Sequence, residues 1–167
     1  MITFKQLWDN HPTVKEEDNP CDSSLNNQCA IKLGTALHRC GVNITGVPQC
    51  WFGHKGQGHY LLAEELAKGL SRTNIPGIHL AKKYPGASFR ANILGQTGII
   101  FFKDYWRRTY NGVTESFRNR SGDHIDLWNG SRLTAWTSWF RISWGITIEG
   151  RWSDFYDSRS VWFWKVP

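Results

Sequence analysis

The polar stretch that ends at Gln28 gives way at once to a helical pattern, and this switch constrains the fold more than any other segment. Ala30, Leu33, Leu37 and Cys40 recur at i, i+3, i+7 and i+10, one face of an amphipathic helix over residues 28–40. Asn26 or Asn27 suits the N-cap, which places Cys29 in the first helical turn. Unpaired backbone N–H groups and the positive end of the helix dipole favour a thiolate there. A nucleophile fits that position. So does a small apolar residue packed at a helix start.

The rest of the chain reads as mixed α and β. Residues 4–9 predict a short amphipathic helix, and residues 10–26 are polar and irregular. A second helix is expected over 59–70, with Leu62, Leu66 and Leu70 on one stripe, and a third over Ala87 to Leu94. Between the first two runs a Gly-rich loop, Gly53-His54-Lys55-Gly56-Gln57-Gly58-His59, reads as surface or as the lip of a cleft. Residues 99–106 predict a buried strand and residues 124–128 another, ended by the turn dipeptide Asn129-Gly130. Two more strands are expected at 142–149 and 160–166. Seven of the ten Trp residues follow residue 127, which suggests a strand-rich core or an aromatic groove. A length of 167 residues suits one domain over 1–167.

Charge and patterning narrow the function. The formal charge of +6 favours anionic partners. The basic residues are scattered, with small groups at Lys82-Lys83, Arg107-Arg108 and Arg118 with Arg120. No nucleic-acid-binding signature accompanies them, so nucleic acid is not expected as a partner. No apolar run approaches membrane length, so no membrane insertion is expected. The opening Met1-Ile2-Thr3-Phe4-Lys5-Gln6-Leu7-Trp8 lacks an apolar signal core. The expectation is a chain made in the cytoplasm without a signal peptide.

Four cysteines, Cys21, Cys29, Cys40 and Cys50, leave several readings open. Cys40 and Cys50 flank the turn-bearing segment Gly41 to Pro48, and a disulfide between them would leave Cys21 and Cys29 as thiols. His38, Cys40, Cys50 and His54 are the competing zinc set, although His38-x-Cys40 is tight for a structural zinc motif. Free thiols are the third reading.

His124 is the second chemical element. On a strand, His124, Asp126 and Trp128 share one face, while Ile125 and Leu127 point to the other. The apolar pair is expected to face a core and the His-Asp-Trp face to line a cleft. A helix opening on a cysteine, followed by a sheet carrying a histidine, is the papain-like arrangement, in which imidazole and thiol share a proton.

Three segments then carry a resemblance to a known family. They are Asn27-Gln28-Cys29-Ala30-Ile31-Lys32-Leu33, the strand His124-Ile125-Asp126-Leu127-Trp128-Asn129-Gly130, and the ending Val161-Trp162-Phe163-Trp164. With the opening Leu7-Trp8-x-x-His11-Pro12, they resemble type VI secretion amidase effector family 4 over nearly the whole chain. The resemblance implies an α+β, papain-like NlpC-type fold with N-terminal helices packed on an antiparallel sheet. It implies hydrolysis of the γ-D-glutamyl–meso-diaminopimelate bond in peptidoglycan stem peptides and no cofactor. It also implies injection by the type VI secretion machinery into the periplasm of target cells, and a cognate immunity protein as partner.

Residue by residue, the resemblance makes Cys29 the nucleophile and His124 the base; Trp128 and Asn129, at the end of the His124 strand, are expected beside the substrate groove. The family's third member, an Asp eleven residues after the His, falls on Ala135. An alanine cannot orient an imidazole. This copy is therefore expected to be impaired, naturally or by design, unless another acceptor substitutes. Asp126 is the nearest candidate, although an i,i+2 neighbour is poorly placed to meet the ring edge. Two other classes stay open: a silent papain-like binding module, and a zinc-containing aromatic-rich binding protein.

Overall fold

The computed structural model describes residues 1–17, 19–22, 25, 28–134 and 155–167. Helix α1 spans Phe4–Asn10, α2 Cys29–Arg39, α3 Ala63–Arg72 and the short α4 Phe89–Ile93. The strands are β1 Lys82–Tyr84, β2 Gly98–Trp106, β3 Thr109–Tyr110, β4 Val113–Thr114, β5 Gly122–Trp128 and β6 Ser160–Lys165. The expected elements over 4–9, 28–40, 59–70, 87–94, 99–106, 124–128 and 160–166 thus all have counterparts, while the strand expected at 142–149 lies outside the described residues.

Four strands form an antiparallel sheet in the order β1-β6-β2-β5, with Ile99 opposite Leu127 and Phe101 opposite Ile125. Strand β2 is central, so both of its faces are buried. That is why its sequence reads as an unbroken apolar run instead of alternating. Ile99, Phe101, Ile125, Leu127 and Trp164 turn to one side, against Leu33 and Leu37 of α2 and Leu66 and Leu70 of α3. Ile100, Phe102, Trp128, Val161 and Phe163 turn to the other, against Phe89, Ile93 and Phe155. No helix among the described residues is long and apolar enough to cross a membrane.

Two local devices set up the site. Helix α1 begins with a capping box: Thr3 Oγ1 accepts from the Gln6 N–H at 3.3 Å, and Gln6 Oε1 accepts from the Thr3 N–H at 2.9 Å. It ends one residue before His11-Pro12, because a residue preceding proline is held extended, and His11 has φ −74° and ψ 128°. The second device is a glycine pair. A Cβ on Gly34 would stand 1.8 Å from the Gly58 carbonyl oxygen, and one on Gly58, at φ +76°, would meet the Gly34 carbonyl oxygen at 2.2 Å. Only glycine at both positions lets the loop before α3 lie on the backbone of α2. The Gly-rich segment is therefore seated on α2, closed at its base by the Gln49–Tyr60 bridge.

Candidate active site

Cys29 opens α2, as its sequence pattern requires. The N-cap position is Gln28 rather than Asn26 or Asn27, whose own placement lies outside the described residues. Gln28 makes no side-chain cap; its amide donates instead to the Asp22 carbonyl at 3.1 Å. The Gln28 side chain thus leaves the first-turn N–H groups of α2, which lack partners within the helix, uncapped from that position.

Strand β5, an edge of the described sheet, brings His124 to Cys29, and the two side chains interact. The imidazole is largely buried, its side chain 16% exposed, and it stacks near Phe102 and Phe155. Its Nε2 lies 3.5 Å from Asp126 Oδ2, the distance of an ion pair rather than of a well-formed hydrogen bond. The i,i+2 spacing thus does not keep the two apart, because strand side chains lean along the strand direction.

Asp126 is itself held from several sides. Its Oδ1 accepts from the Leu127 N–H at 2.7 Å and from the Thr134 hydroxyl, and lies 3.8 Å from His11 Nε2. Burial alone would raise the Asp126 carboxyl. The His124 contact, the electrostatic pull of His11 when it is protonated, the charge of His124 and the Thr134 hydrogen bond outweigh it and hold the group below the usual carboxylate range. Burial likewise opposes charge on His124, yet the contacts and charges of Asp126 and Cys29 push its pKa up to about 10. His11 goes the other way. Burial, reinforced by Lys32, His124 and Arg39 against the pull of Asp126, lowers it from 6.5 to about 4. At neutral pH the cluster therefore holds one imidazolium, one carboxylate and one neutral imidazole.

Sequence reasoning gave no role to His11 or Thr134. His11 lay in a quoted motif, but nothing local says that the end of α1 meets β5. Trp128 is not the groove wall expected of it, while Asn129 is half-buried in the turn that follows. Trp128 is fully buried in the second core cluster and donates its indole N–H to the Ile93 carbonyl at 3.3 Å. Asn129 Oδ1 accepts from the Ser131 and Arg132 N–H groups at 3.1 and 2.9 Å, so it shapes the turn after β5. Ala135 lies outside the described residues.

The cysteine readings also change. No two of the four cysteines are bonded. Cys40 caps the C-terminal end of α2 and receives the Asn10 amide at 3.8 Å, whereas Cys50 packs on Ile31 near the other end. Nine helical residues separate those levels, about 13 Å at 1.5 Å per residue, too far for a disulfide. The zinc set His38, Cys40, Cys50 and His54 is not assembled either, since His38 instead contacts Asn43 at 3.2 Å.

Comparison with known proteins adds the family context. The family described as type VI secretion system (T6SS), amidase effector protein 4, matches residues 25–164. The crystal structure of the type VI effector Tae4 from Enterobacter cloacae is similar over 100% of this chain and 98% of that chain. Identity is 16% and the TM-score 0.59, a likeness of fold: the α+β, papain-like NlpC-type arrangement. No curated protein matches.

Proposed function

The chain belongs to the type VI secretion amidase effector 4 family, and we propose from that premise that it is a cysteine amidase cleaving peptidoglycan stem peptides. The family makes it an antibacterial effector acting on peptidoglycan. The finer reading is hydrolysis of the γ-D-glutamyl–meso-diaminopimelate bond in the periplasm of a target cell, with a cognate immunity protein protecting the producer.

Cys29 attacks the γ-glutamyl carbonyl carbon as a thiolate. The first-turn N–H groups of α2 receive the developing oxyanion, where the helix dipole adds to their effect. His124 then gives its proton to the departing diaminopimelate amine, leaving a thioester on Cys29. Water, deprotonated by His124, hydrolyses that thioester and releases the glutamyl product. Asp126 orients and charges the imidazole, with His11 and Thr134 holding the carboxylate in place.

The observation that carries this reading is the buried Asp126 carboxylate beside His124 Nε2, with Cys29 as the other partner of the same ring. It also supplies an acceptor that does not depend on position 135, so we infer that this copy is active despite Ala135. Purified peptidoglycan, digested with the chain or with its Cys29→Ala variant, tests the reading by mass of the released fragments. New glutamyl and diaminopimelate termini are expected with the chain alone. Fragments produced equally by both proteins, or none by either, would refute it.

A further inference from the structure

Away from the Cys29 thiol, a second cluster gathers residues that the amidase chemistry leaves unused. Cys21, Cys50, His54 and His59 place one ligand atom each within 4.8 Å of one another, and all but His54 are buried. We propose that these four residues bind a single structural Zn²⁺ ion as a closed Cys₂His₂ site.

The distances carry the assignment. His54 Nδ1 lies 3.4 Å from both Cys21 Sγ and Cys50 Sγ, and His59 Nδ1 lies 3.6 Å from Cys50 Sγ. With Zn–S near 2.3 Å and Zn–N near 2.0–2.1 Å, a tetrahedron has S···N edges of about 3.6 Å. The three sulfur–nitrogen contacts are thus already at the length that a zinc ion between them requires. The two imidazoles meet edge to face, with centroids 4.7 Å apart, and each has its Nδ1 beside a thiol sulfur. Four protein ligands leave no open position, the form of a structural rather than a catalytic zinc site.

The chain around the cluster is built to hold it. Cys50, His54 and His59 lie on one loop, closed by the Cys50 N–H donating to the His59 carbonyl at 2.9 Å. The Gly34–Gly58 contact presses that loop onto α2. Cys21 comes from the segment that leads into Cys29 and packs with Cys50 on Ile31. The ion would thereby tie the approach to the nucleophile, the Gly-rich loop and the first turns of α2 together. This inference does not depend on the amidase reading.

The untagged full chain, purified under reducing conditions and stripped with a chelator, is titrated with Zn²⁺ and separately with Co²⁺. One equivalent of zinc should bind per chain and raise the melting temperature. The cobalt form should show tetrahedral d–d bands and thiolate-to-metal charge transfer. Zinc should shield Cys21 and Cys50 from iodoacetamide in the native protein while Cys29 stays reactive. Binding should survive Cys29→Ala and weaken by roughly 100-fold or more in Cys50→Ser. Should Cys50→Ser fail to fold, the alkylation footprint on the unaltered chain decides alone. The proposal is overturned by a folded chain that binds no zinc, or by zinc binding that leaves Cys21 and Cys50 unprotected. A Cys21–Cys50 disulfide in protein never exposed to chelator would overturn it equally.

Discussion

Replacing Asp126 with Asn separates charge from shape at the centre of the site. The Asn carbonyl can still accept from the Leu127 N–H and the Thr134 hydroxyl, as Asp126 Oδ1 does. Its amide then occupies the Oδ2 position, 3.5 Å from His124 Nε2. A donor would face a protonated ring nitrogen, so the imidazolium is disfavoured and the preferred tautomer is lost. His124 rises from 6.5 to about 10 through Asp126 and Cys29 acting against burial. That net rise, left after burial is overcome, corresponds to about 5 kcal/mol of preference for the imidazolium. Losing an orienting carboxylate costs a serine protease on the order of 10⁴ in turnover. A thiol ionises more readily, so a fall of roughly 10²–10³ in kcat is expected here, with KM little changed. The assay is hydrolysis of purified muropeptides followed by chromatography and mass, alongside an NMR titration of the His124 ring. Asp126→Asn should lower the ring pKa together with the rate. Ala135→Asp should change the rate by less than tenfold. Full activity in Asp126→Asn, with a rise of several orders of magnitude in Ala135→Asp, would refute the argument and return the third catalytic role to position 135.

Iodoacetamide at neutral pH should alkylate Cys29 before Cys21, Cys40 or Cys50, as peptide mapping would reveal; earlier modification of another cysteine contradicts the helix-start thiolate. Stability should fall as pH drops from about 6.5 through about 4, because His11 is neutral when folded and takes a proton more readily when unfolded. His11→Gln should flatten that limb of a melting-temperature profile, and an unchanged profile would count against a neutral buried His11. Activity should be lost as pH rises through about 10, where His124 gives up its proton. Trp128→Ala should destabilise the fold by roughly 3–5 kcal/mol in denaturant unfolding, as a buried core aromatic does; a variant with native stability but weakened substrate binding would restore the groove reading.

Local pattern was enough for the elements. The apolar stripe after Gln28 requires a helix with Cys29 in its first turn, and the run in β2 requires a strand buried on both faces. The helix follows from periodicity within a few residues, and the strand from a short, β-branched and aromatic apolar run with no polar face. His124 was legible on the same terms, as a polar residue alternating with Ile125 and Leu127. Which side of the sheet is wet was not. Trp128 shares the strand face of His124, yet it is buried because α4 and Phe155 cover that face. The partners of Asp126 were equally hidden. His11 reaches it from the end of α1, and only the packing of α1 and α2 beside β5 brings residues so far apart in sequence together. Cys40 and Cys50, ten residues apart, look close along the chain but sit at opposite ends of a helix. Cys21 and His59, thirty-eight residues apart, meet in one cluster. Sequence separation measures chain length, whereas chemistry needs distance through space, and here the stacking of loop on helix at Gly34 and Gly58 decided which thiols and imidazoles meet.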